Sequence, residues 1–488
     1  KMKYLFISLL SACIFFSCTK PEDEINLNAQ LNFSSDTITF DTVFASIGSI
    51  TKTLTIYNNN NFDLNSDISL KGISSANFRM NIDGVSGNNQ NKVFIAKKDS
   101  IFIFIEVTVD PSSNTTPYIL SDSLIFTIGN NQQSVKLIAW GQDAYFHTAN
   151  TVGEIINGND TNKIYYHQIN SNETWTNDKP HVIFGYVIIE PNAQLNINPG
   201  TNIHLHKNSG IYVGNPFSSQ SGGTLKVNGS YQNEVIFQGD RLDSWYENIP
   251  GQWDRIRFIP GSYDNEINYA IIKNGTTGLH ADTVANSNPT VTVNNTIITN
   301  MSAIGILGQG ASLNVSNTVI SECGQYTVAC YLGGNYIFNH CTFANYWNYD
   351  FRNTPSILLN NYYVDINDNI QIRDLNNVYF GNCIIYGSLS TEISFDENIN
   401  GDFFYTFDHS LIKIDPNINT STNNYINIIK NFDLIFIDHL EDNFNLDANS
   451  PAKNFGNFQI TQNNNLSFDL AEKLRSNPPE IGAFEAED

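Results

Sequence analysis

Between residues 31 and 142, apolar and polar positions alternate with a period of two. The clearest runs are Thr37-Ile38-Thr39-Phe40, Thr53-Leu54-Thr55-Ile56-Tyr57, Phe78-Arg79-Met80-Asn81-Ile82, Ile101-Phe102-Ile103-Phe104-Ile105, Leu124-Ile125-Phe126-Thr127-Ile128 and Val135-Lys136-Leu137-Ile138. In an extended chain successive side chains point to opposite faces, so each run predicts a strand with one buried face. Turn-forming stretches such as Asn58-Asn59-Asn60-Asn61 and Gly129-Asn130-Asn131 separate the runs. Six or seven strands in about 110 residues predict a β-sandwich over residues 31–143.

Beyond residue 181 the rhythm changes. Short apolar phrases, among them Val187-Ile188-Ile189, Gln194-Leu195-Asn196-Ile197, Thr224-Leu225-Lys226-Val227 and Val235-Ile236-Phe237, are split by glycine-containing corners. A four-residue phrase of polar, small, apolar and apolar residues then returns six times: Tyr269-Ala270-Ile271-Ile272, Asn295-Thr296-Ile297-Ile298, Asn317-Thr318-Val319-Ile320, His340-Cys341-Thr342-Phe343, Asn382-Cys383-Ile384-Ile385 and His409-Ser410-Leu411-Ile412. The small residues stand at 270, 296, 318, 341, 383 and 410, in steps of 26, 22, 23, 42 and 27. A period in the low twenties without helical spacing predicts a β-solenoid, in which equivalent positions of successive coils stack. The apolar pairs should form a buried column, and the polar position should pass hydrogen bonds from coil to coil. The 42-residue step admits an extra coil or a single coil carrying a long loop. Ile357-Leu358-Leu359 matches Val328-Ala329-Cys330, and Val378-Tyr379-Phe380 matches Tyr336-Ile337-Phe338, which assigns 362–375 as an insertion. Residues 144–180, weakly patterned, are expected to form a junction and N-terminal cap ahead of the solenoid at 181–488.

Charge narrows the partners. The chain has 488 residues with 25 Lys and Arg against 48 Asp and Glu, a formal charge of -23. Such a field repels phosphate backbones, so no nucleic acid is expected as partner. At the N-terminus, Lys1-Met2-Lys3 precedes an apolar run over 4–16 that is too short to span a bilayer, the layout of a signal peptide over 1–17. Cys13 and Cys18 both follow small residues. Cys18 is preferred as the lipidated residue because cleavage there leaves a polar tether, 18–30, in place of exposed Ile14-Phe15-Phe16. Of the other cysteines, Cys341 and Cys383 occupy the small slot of the phrase and are expected to be buried, with a disulfide between them left open.

Three resemblances extend this reading. The acidic residues after Cys18, in Thr19-Lys20-Pro21-Glu22-Asp23-Glu24, resemble the export signals of Bacteroidota lipoproteins, which implies an outer-membrane, lipid-anchored protein exposed at the cell surface. Residues 31–143 resemble immunoglobulin-like modules of the abnormal-spindle type. Asn198-Pro199-Gly200-Thr201, Gly251-Gln252-Trp253 with Arg255-Ile256, Ser450-Pro451-Ala452 and Glu480-Ile481-Gly482-Ala483-Phe484-Glu485 resemble hallmarks of right-handed parallel β-helix lipoproteins with a pectate-lyase-like fold. The fold class implied is all-β, an N-terminal Ig-like β-sandwich followed by a right-handed parallel β-helix with a C-terminal cap. Those hallmarks are scaffold signatures, and in that family they carry no assigned activity.

Catalysis on such a scaffold requires clustered carboxylates with calcium and a basic residue, or two convergent acids. The candidates are Asp350, Arg352, Asp365, Asp368, Arg373 and Asp374, which flank or occupy the insertion. Asp396, Asn398 and Asn400, followed by Gly401 and Asp402, open like a calcium loop, but Phe407 stands where the closing glutamate belongs. No resident cofactor is expected, with calcium at this loop as the alternative; Cys323, Cys330, His340 and Cys341 fit none of the usual zinc spacings. His204 and His206 share a strand face, and Trp245, Tyr246 and Tyr263 offer rings for sugar stacking. The leading expectation is a non-catalytic surface lipoprotein that binds a glycan or a surface protein and meets the membrane through its anchor. The alternatives are a calcium-dependent polysaccharide lyase or glycoside hydrolase, and a purely structural spacer.

Overall fold

A computed structural model describes residues 29–44, 48–72, 74–109, 118–157, 160–218, 220, 222–242, 244–282, 289–433 and 436–486. The expected signal peptide over 1–17, Cys18 and all but the end of the tether lie outside the described residues. The chain divides into two compact units, Lys1–Asp143 and Ala144–Asp488.

The first unit is a sandwich of two five-stranded sheets. One is ordered Asn32–Phe33, Lys52–Tyr57, Ser100–Val107, Phe78–Ile82, Val85–Ser86; the other Thr37–Phe44, Asn131–Gln142, Tyr118–Ile128, Leu64–Lys71, Asn89–Ile95. Alternation decides what is buried. In Ser100–Val107 the residues Ile101, Ile103, Ile105 and Val107 enter the core, while Phe102 and Phe104 face outward. Leu54, Phe78 and Met80 from one sheet meet Leu124, Phe126 and Leu137 from the other. Ten strands among the described residues exceed the six or seven expected, because Leu64–Lys71 and Asn89–Ile95 are rich in polar residues and Asn32–Phe33 and Val85–Ser86 are too short to show alternation.

The second unit is a parallel β-helix of three sheets with eleven, ten and ten strands. One coil runs Ile297–Met301 in the first sheet, Ile304–Gln309 in the second and Ser312–Ser316 in the third, then re-enters the first at Val319–Cys323. Ile298 lies beside Ile320, Leu307 beside Ala329 and Val315 beside Phe338. In the lumen, Phe338 and Phe380 stack at 4.8 Å, Phe380 and Phe407 at 5.0 Å, and Phe407 and Tyr425 at 5.7 Å. These ring spacings follow the distance between adjacent strands, about 4.8 Å. The coils begin earlier than His181. Tyr145–His147, Asp160–Ile169 and Glu173–Trp175 already pair in parallel with the next coil, and Thr151–Asn157 runs antiparallel along Asp160–Ile169, covering an open edge.

The phrase marks the corner between the third and first sheets. All six of its polar residues have left-handed backbone: Tyr269, Asn295, Asn317, His340, Asn382 and His409 have φ of 46, 50, 47, 52, 53 and 47°. Asparagine tolerates this conformation better than most residues, which explains its recurrence. Hydrogen bonds do pass between coils, from Asn317 Nδ2 to Asn295 Oδ1 (3.1 Å), Asn382 Nδ2 to His340 Nε2 (3.0 Å) and Asn427 Nδ2 to His409 Nε2 (3.2 Å).

The apolar pair does not form one column. Its members point to opposite faces: Ile272, Ile298, Ile320, Phe343, Ile385 and Ile412 fill the lumen, whereas Val319, Ile384 and Leu411 face outward. A C-terminal tail buries that outer row with Phe436, Phe444, Leu446, Ala452, Leu470, Ile481 and Ala483. The tail is bonded to the phrase residues as well. Asn317 Nδ2 donates to Phe468 O (2.8 Å), Asn382 Nδ2 to Asn457 O (3.0 Å), and His340 Nε2 lies 2.9 Å from Thr461 Oγ1. Gly482 has φ 92°, and a Cβ there would meet Ile384 Cδ1 and Thr342 Oγ1 at 2.7 Å, so only glycine lets the tail lie this close.

The 42-residue step is a single coil with two excursions. Residues 346–356 intervene between Thr342–Asn345 and Ile357–Asn360, and a two-stranded hairpin, Tyr362–Val364 with Ile370–Ile372, precedes Leu375–Gly381. The hairpin is the expected insertion; the first excursion had no strand-like pattern to signal it. Cys323, Cys330, Cys341 and Cys383 are buried free thiols, so the Cys341–Cys383 pair is not bridged.

Acid should weaken this unit. Burial, helped by His181 and His167 alongside, lowers His147 to about 3, and burial lowers His204 to about 4. A histidine held neutral when folded, but with an ordinary value of about 6.5 when unfolded, makes stability fall as pH drops below about 6.5. His147 alone should remove about 2 kcal/mol between pH 7 and pH 5. Denaturant unfolding of the wild type and His147→Leu at both pH values tests this: the variant should lose about 2 kcal/mol less across the interval. Equal losses would contradict the assignment.

Candidate functional site

The sequence candidates do not converge. The strand Ile357–Asn360 separates them, with Asp350 and Arg352 on the excursion before it and Asp365, Asp368, Arg373 and Asp374 after it. Arg352 is fully buried and forked onto Glu392, with Nη1 to Oε2 at 2.9 Å and Nη2 to Oε1 at 2.8 Å, and its Nη2 also donates to Asn345 O. Ser356 N and Oγ and Leu389 N complete the Glu392 shell. This ion pair ties the first excursion to the next coil and leaves no group for a substrate. Asp350 accepts from Trp347 Nε1 (2.5 Å). Asp365 folds the hairpin tip by accepting from Asn367 N and Asn369 N; Asp368 donates its N–H to Asp365 O. Arg373 Nη1 donates to Ile372 O, and Asp374 Oδ1 accepts from Asp402 N.

The calcium candidates are likewise committed to the protein. Asp396 accepts from Asn360 Nδ2 and Tyr362 OH, both at 2.9 Å, while Asn398 Oδ1 accepts from Asn400 N and Nδ2 at 3.1 Å. The N–H of Asp402 goes to Asp374. Asp396 thus bonds to Asn360 and Tyr362 of the preceding coil, and Asn398 closes its own turn. Among the described residues no three His, Cys, Asp or Glu side chains gather as a metal site. His204 is buried beside Gly239 O (3.2 Å), and His206 lies 2.6 Å from Asp240.

A different constellation lies on the outer face of the second sheet. Ile256–Phe258 and Thr277–Ala281 are neighbouring strands, with Arg257 opposite His280. Ile256, Phe258, Leu279 and Ala281 fill the lumen, so alternation turns Arg257 and His280 outward. Arg255 Nε donates to Asp254 Oδ1 (2.8 Å) and its Nη1 lies 3.1 Å from His280 Nδ1. A guanidinium can only donate, so Nδ1 is the acceptor here and Nε2 carries the imidazole hydrogen. That Nε2 lies 2.7 Å from Gln309 Oε1 and 3.1 Å from Asp282 Oδ1. Arg257 Nε donates to Asp282 Oδ2 (2.9 Å), and Tyr212 lies alongside, its ring centre 5.8 Å from the guanidinium.

Of these groups Arg257, Asp282 and Gln309 line a cleft of about 460 Å³, together with Asn215, Ile259 and Leu332, while His280 lies buried behind them. Its wall is braced, because Asn215 Nδ2 donates to both oxygens of Glu190 at 2.9 Å. Burial works to raise the Asp282 carboxyl, but hydrogen bonding from His280 and the charge of Arg257 outweigh it and hold Asp282 below the usual carboxylate range. Two guanidiniums, Arg255 and Arg257, face two carboxylates, Asp254 and Asp282, and the charges cancel. Carboxyls that burial pushes up, among them Glu322 to about 7 in the first sheet and Glu480 to about 8 in the C-terminal tail, lie outside the cleft. The signal for this site was the charged residue between inward-facing apolar ones, Ile256-Arg257-Phe258 and Leu279-His280-Ala281. Nothing local in the sequence joined those two strands.

No protein-family model matches the chain, and no curated protein is similar to it. Among solved structures, it is similar to the complex of XylC with xylose at 10% identity, covering 93% of this chain and 90% of that chain, with a TM-score of 0.33. The catalytic unit of the GH87 α-1,3-glucanase from Streptomyces thermodiastaticus matches at 10% identity over 74% of this chain and 62% of that chain, TM-score 0.23. A family 123 glycoside hydrolase from Clostridium perfringens matches at 11% identity over 24% of this chain and only 30% of its own length, TM-score 0.19. Likenesses this slight carry no chemistry over to this chain.

The Arg352–Glu392 fork makes a test of its own. Arg352→Ala should cost about 3–5 kcal/mol in chemical unfolding, because Glu392 is left as a buried unpaired charge, and pairing Arg352→Met with Glu392→Leu should recover most of it. A loss of under about 1 kcal/mol in the single variant would contradict the burial of the pair.

Proposed function

We propose that the protein is a non-catalytic carbohydrate-binding lipoprotein of the cell surface, whose β-helix presents the cleft of Arg257, Asp282 and Gln309, held in place by His280, to a neutral, hydroxyl-rich ligand. The observation that carries this reading is cancelled charge: Arg257 in the cleft is set against Asp282, and the nearby Arg255 against Asp254. A site for a polyanion would keep its arginines unneutralised, whereas here each is set against an aspartate. A guanidinium has five N–H donors, and Arg257 spends its Nε on Asp282, so donors remain for hydroxyl oxygens beside carboxylate and amide acceptors. Hydrolysis is disfavoured on the same chemistry. A glycosidase needs one carboxyl that carries a proton at working pH, and Asp282 is held in the opposite direction. The anchor part of the reading rests on the sequence around Cys18 and the acidic residues after it.

Calorimetric titration with glycans drawn from an array screen should show that Arg257→Ala and His280→Ala each weaken binding by about tenfold or more, equally in calcium and in chelator. Release of reducing ends from neutral or uronate polymers by the wild type would overturn the non-catalytic reading. In cells, Cys18→Ala should move the protein from the membrane to the soluble fraction; continued membrane retention would sink the anchor.

A further inference from the structure

The loop that leads into Arg255 is pinned between Tyr246 and Gln252. Gln252 Nε2 donates to Tyr246 O (2.7 Å) and Ile249 O (2.8 Å), Asn274 Nδ2 to Glu247 O (2.8 Å) and Asn300 Nδ2 to Asn248 O (2.7 Å). The Arg241 guanidinium lies 3.8 Å over the Tyr246 ring. Trp245 is nevertheless 77% exposed on this fixed backbone. The first excursion of the long coil reaches the same loop, where Tyr349 OH donates to Asn248 O. Its Trp347 is buried, with ring centres of Trp347 and Tyr349 5.4 Å apart, while Tyr349 is 46% and Phe351 89% exposed. The next residue is Arg352, locked onto Glu392, so Phe351 too is displayed by a fixed chain.

Exposed rings on fixed loops contribute little to folding, and grouped apolar exposure marks a contact surface. Polar groups interrupt these rings: Glu247, Asn248 and Asp350 are exposed among them. A ligand matching both must alternate apolar and hydrogen-bonding surface on the scale of a single ring, as a pyranose does with its C–H face and hydroxyl rim. The edge is also continuous with the cleft. The pinned loop ends at Asp254 and Arg255, and the short strands of the second sheet cross from this edge to the cleft over about 13 Å.

We propose that Trp245, Tyr349 and Phe351 form an outer subsite for the same neutral glycan, so that the ligand is an extended oligosaccharide laid across the second sheet. This rests on the reading of the cleft as a saccharide site. The test is calorimetry on the full chain with neutral gluco-oligosaccharides of both α and β linkage, from mono- to hexasaccharide, comparing wild type, Trp245→Ala/Phe351→Ala and Arg257→Ala. Wild-type affinity should climb with chain length. The aromatic double variant should lose about tenfold on the longest chains and under about twofold on the shortest, with its unfolding midpoint unchanged. Arg257→Ala should lose affinity at every length. If the double variant loses nothing while Arg257→Ala does, the outer subsite is overturned and the cleft reading stands. A loss equal at all lengths, or abolition of concentration-dependent self-association in sedimentation, overturns the subsite as well. If neither variant changes affinity, or the wild type binds none of the series, the cleft reading and the subsite fall together.

Discussion

The β-helix depends on in-register stacking of successive coils. Once Phe338, Phe380, Phe407 and Tyr425 lie one above another in the lumen, each new coil must repeat the path of the last to within a fraction of a strand spacing. Strands alone cannot meet that demand, because the chain must also turn at the same point every time. The left-handed residues at 269, 295, 317, 340, 382 and 409 set the turn between the third and first sheets. Most side chains resist that conformation. The recurring Asn therefore answers a backbone requirement first, and its amide then bonds to a neighbouring coil.

Stacking also dictates where variation is tolerated. Residues 346–356 leave and return at a corner, so the strands on either side of them keep their register, whereas the hairpin at 362–372 is followed by a register shift at the start of Leu375–Gly381 against both neighbouring strands. The first excursion is held by a buried fork between Arg352 and Glu392. Desolvating such a pair is costly, and the geometry offsets that cost because both Nη atoms of Arg352 fork onto Glu392 and Ser356 adds further bonds to the carboxylate, with Arg352 Nε alone left unbonded. The consequence is a fixed platform for Tyr349 and Phe351.

The outer faces of the sheets have different fates. The first is apolar and is covered by the tail through Phe436, Leu446 and Ile481. The second carries Arg257, His280 and Asp282, paired side chains whose desolvation under a tail would still cost free energy. Mutual neutralisation keeps them ordered at a half-buried surface.

Period-two alternation in the first unit and the returning phrase in the second were enough to establish an all-β chain with a sandwich and a solenoid, because burial of one strand face imprints directly on neighbouring residues. The insertion at 362–375 was legible for the same reason, as a break in that rhythm. The opposite orientation of the phrase's two apolar residues, the tail that covers one of them, and the burial of Arg352 were not legible, since each depends on a partner 40 to 150 residues away: Glu392 for Arg352, and Phe468 for Asn317. The cleft is the clearest case. Arg257 and His280 are unremarkable in their own strands, and only the stacking of one coil on the next brings a guanidinium, an imidazole and Asp282 within hydrogen-bonding distance. Local sequence determined which residues face out; the register between coils decided which of them meet.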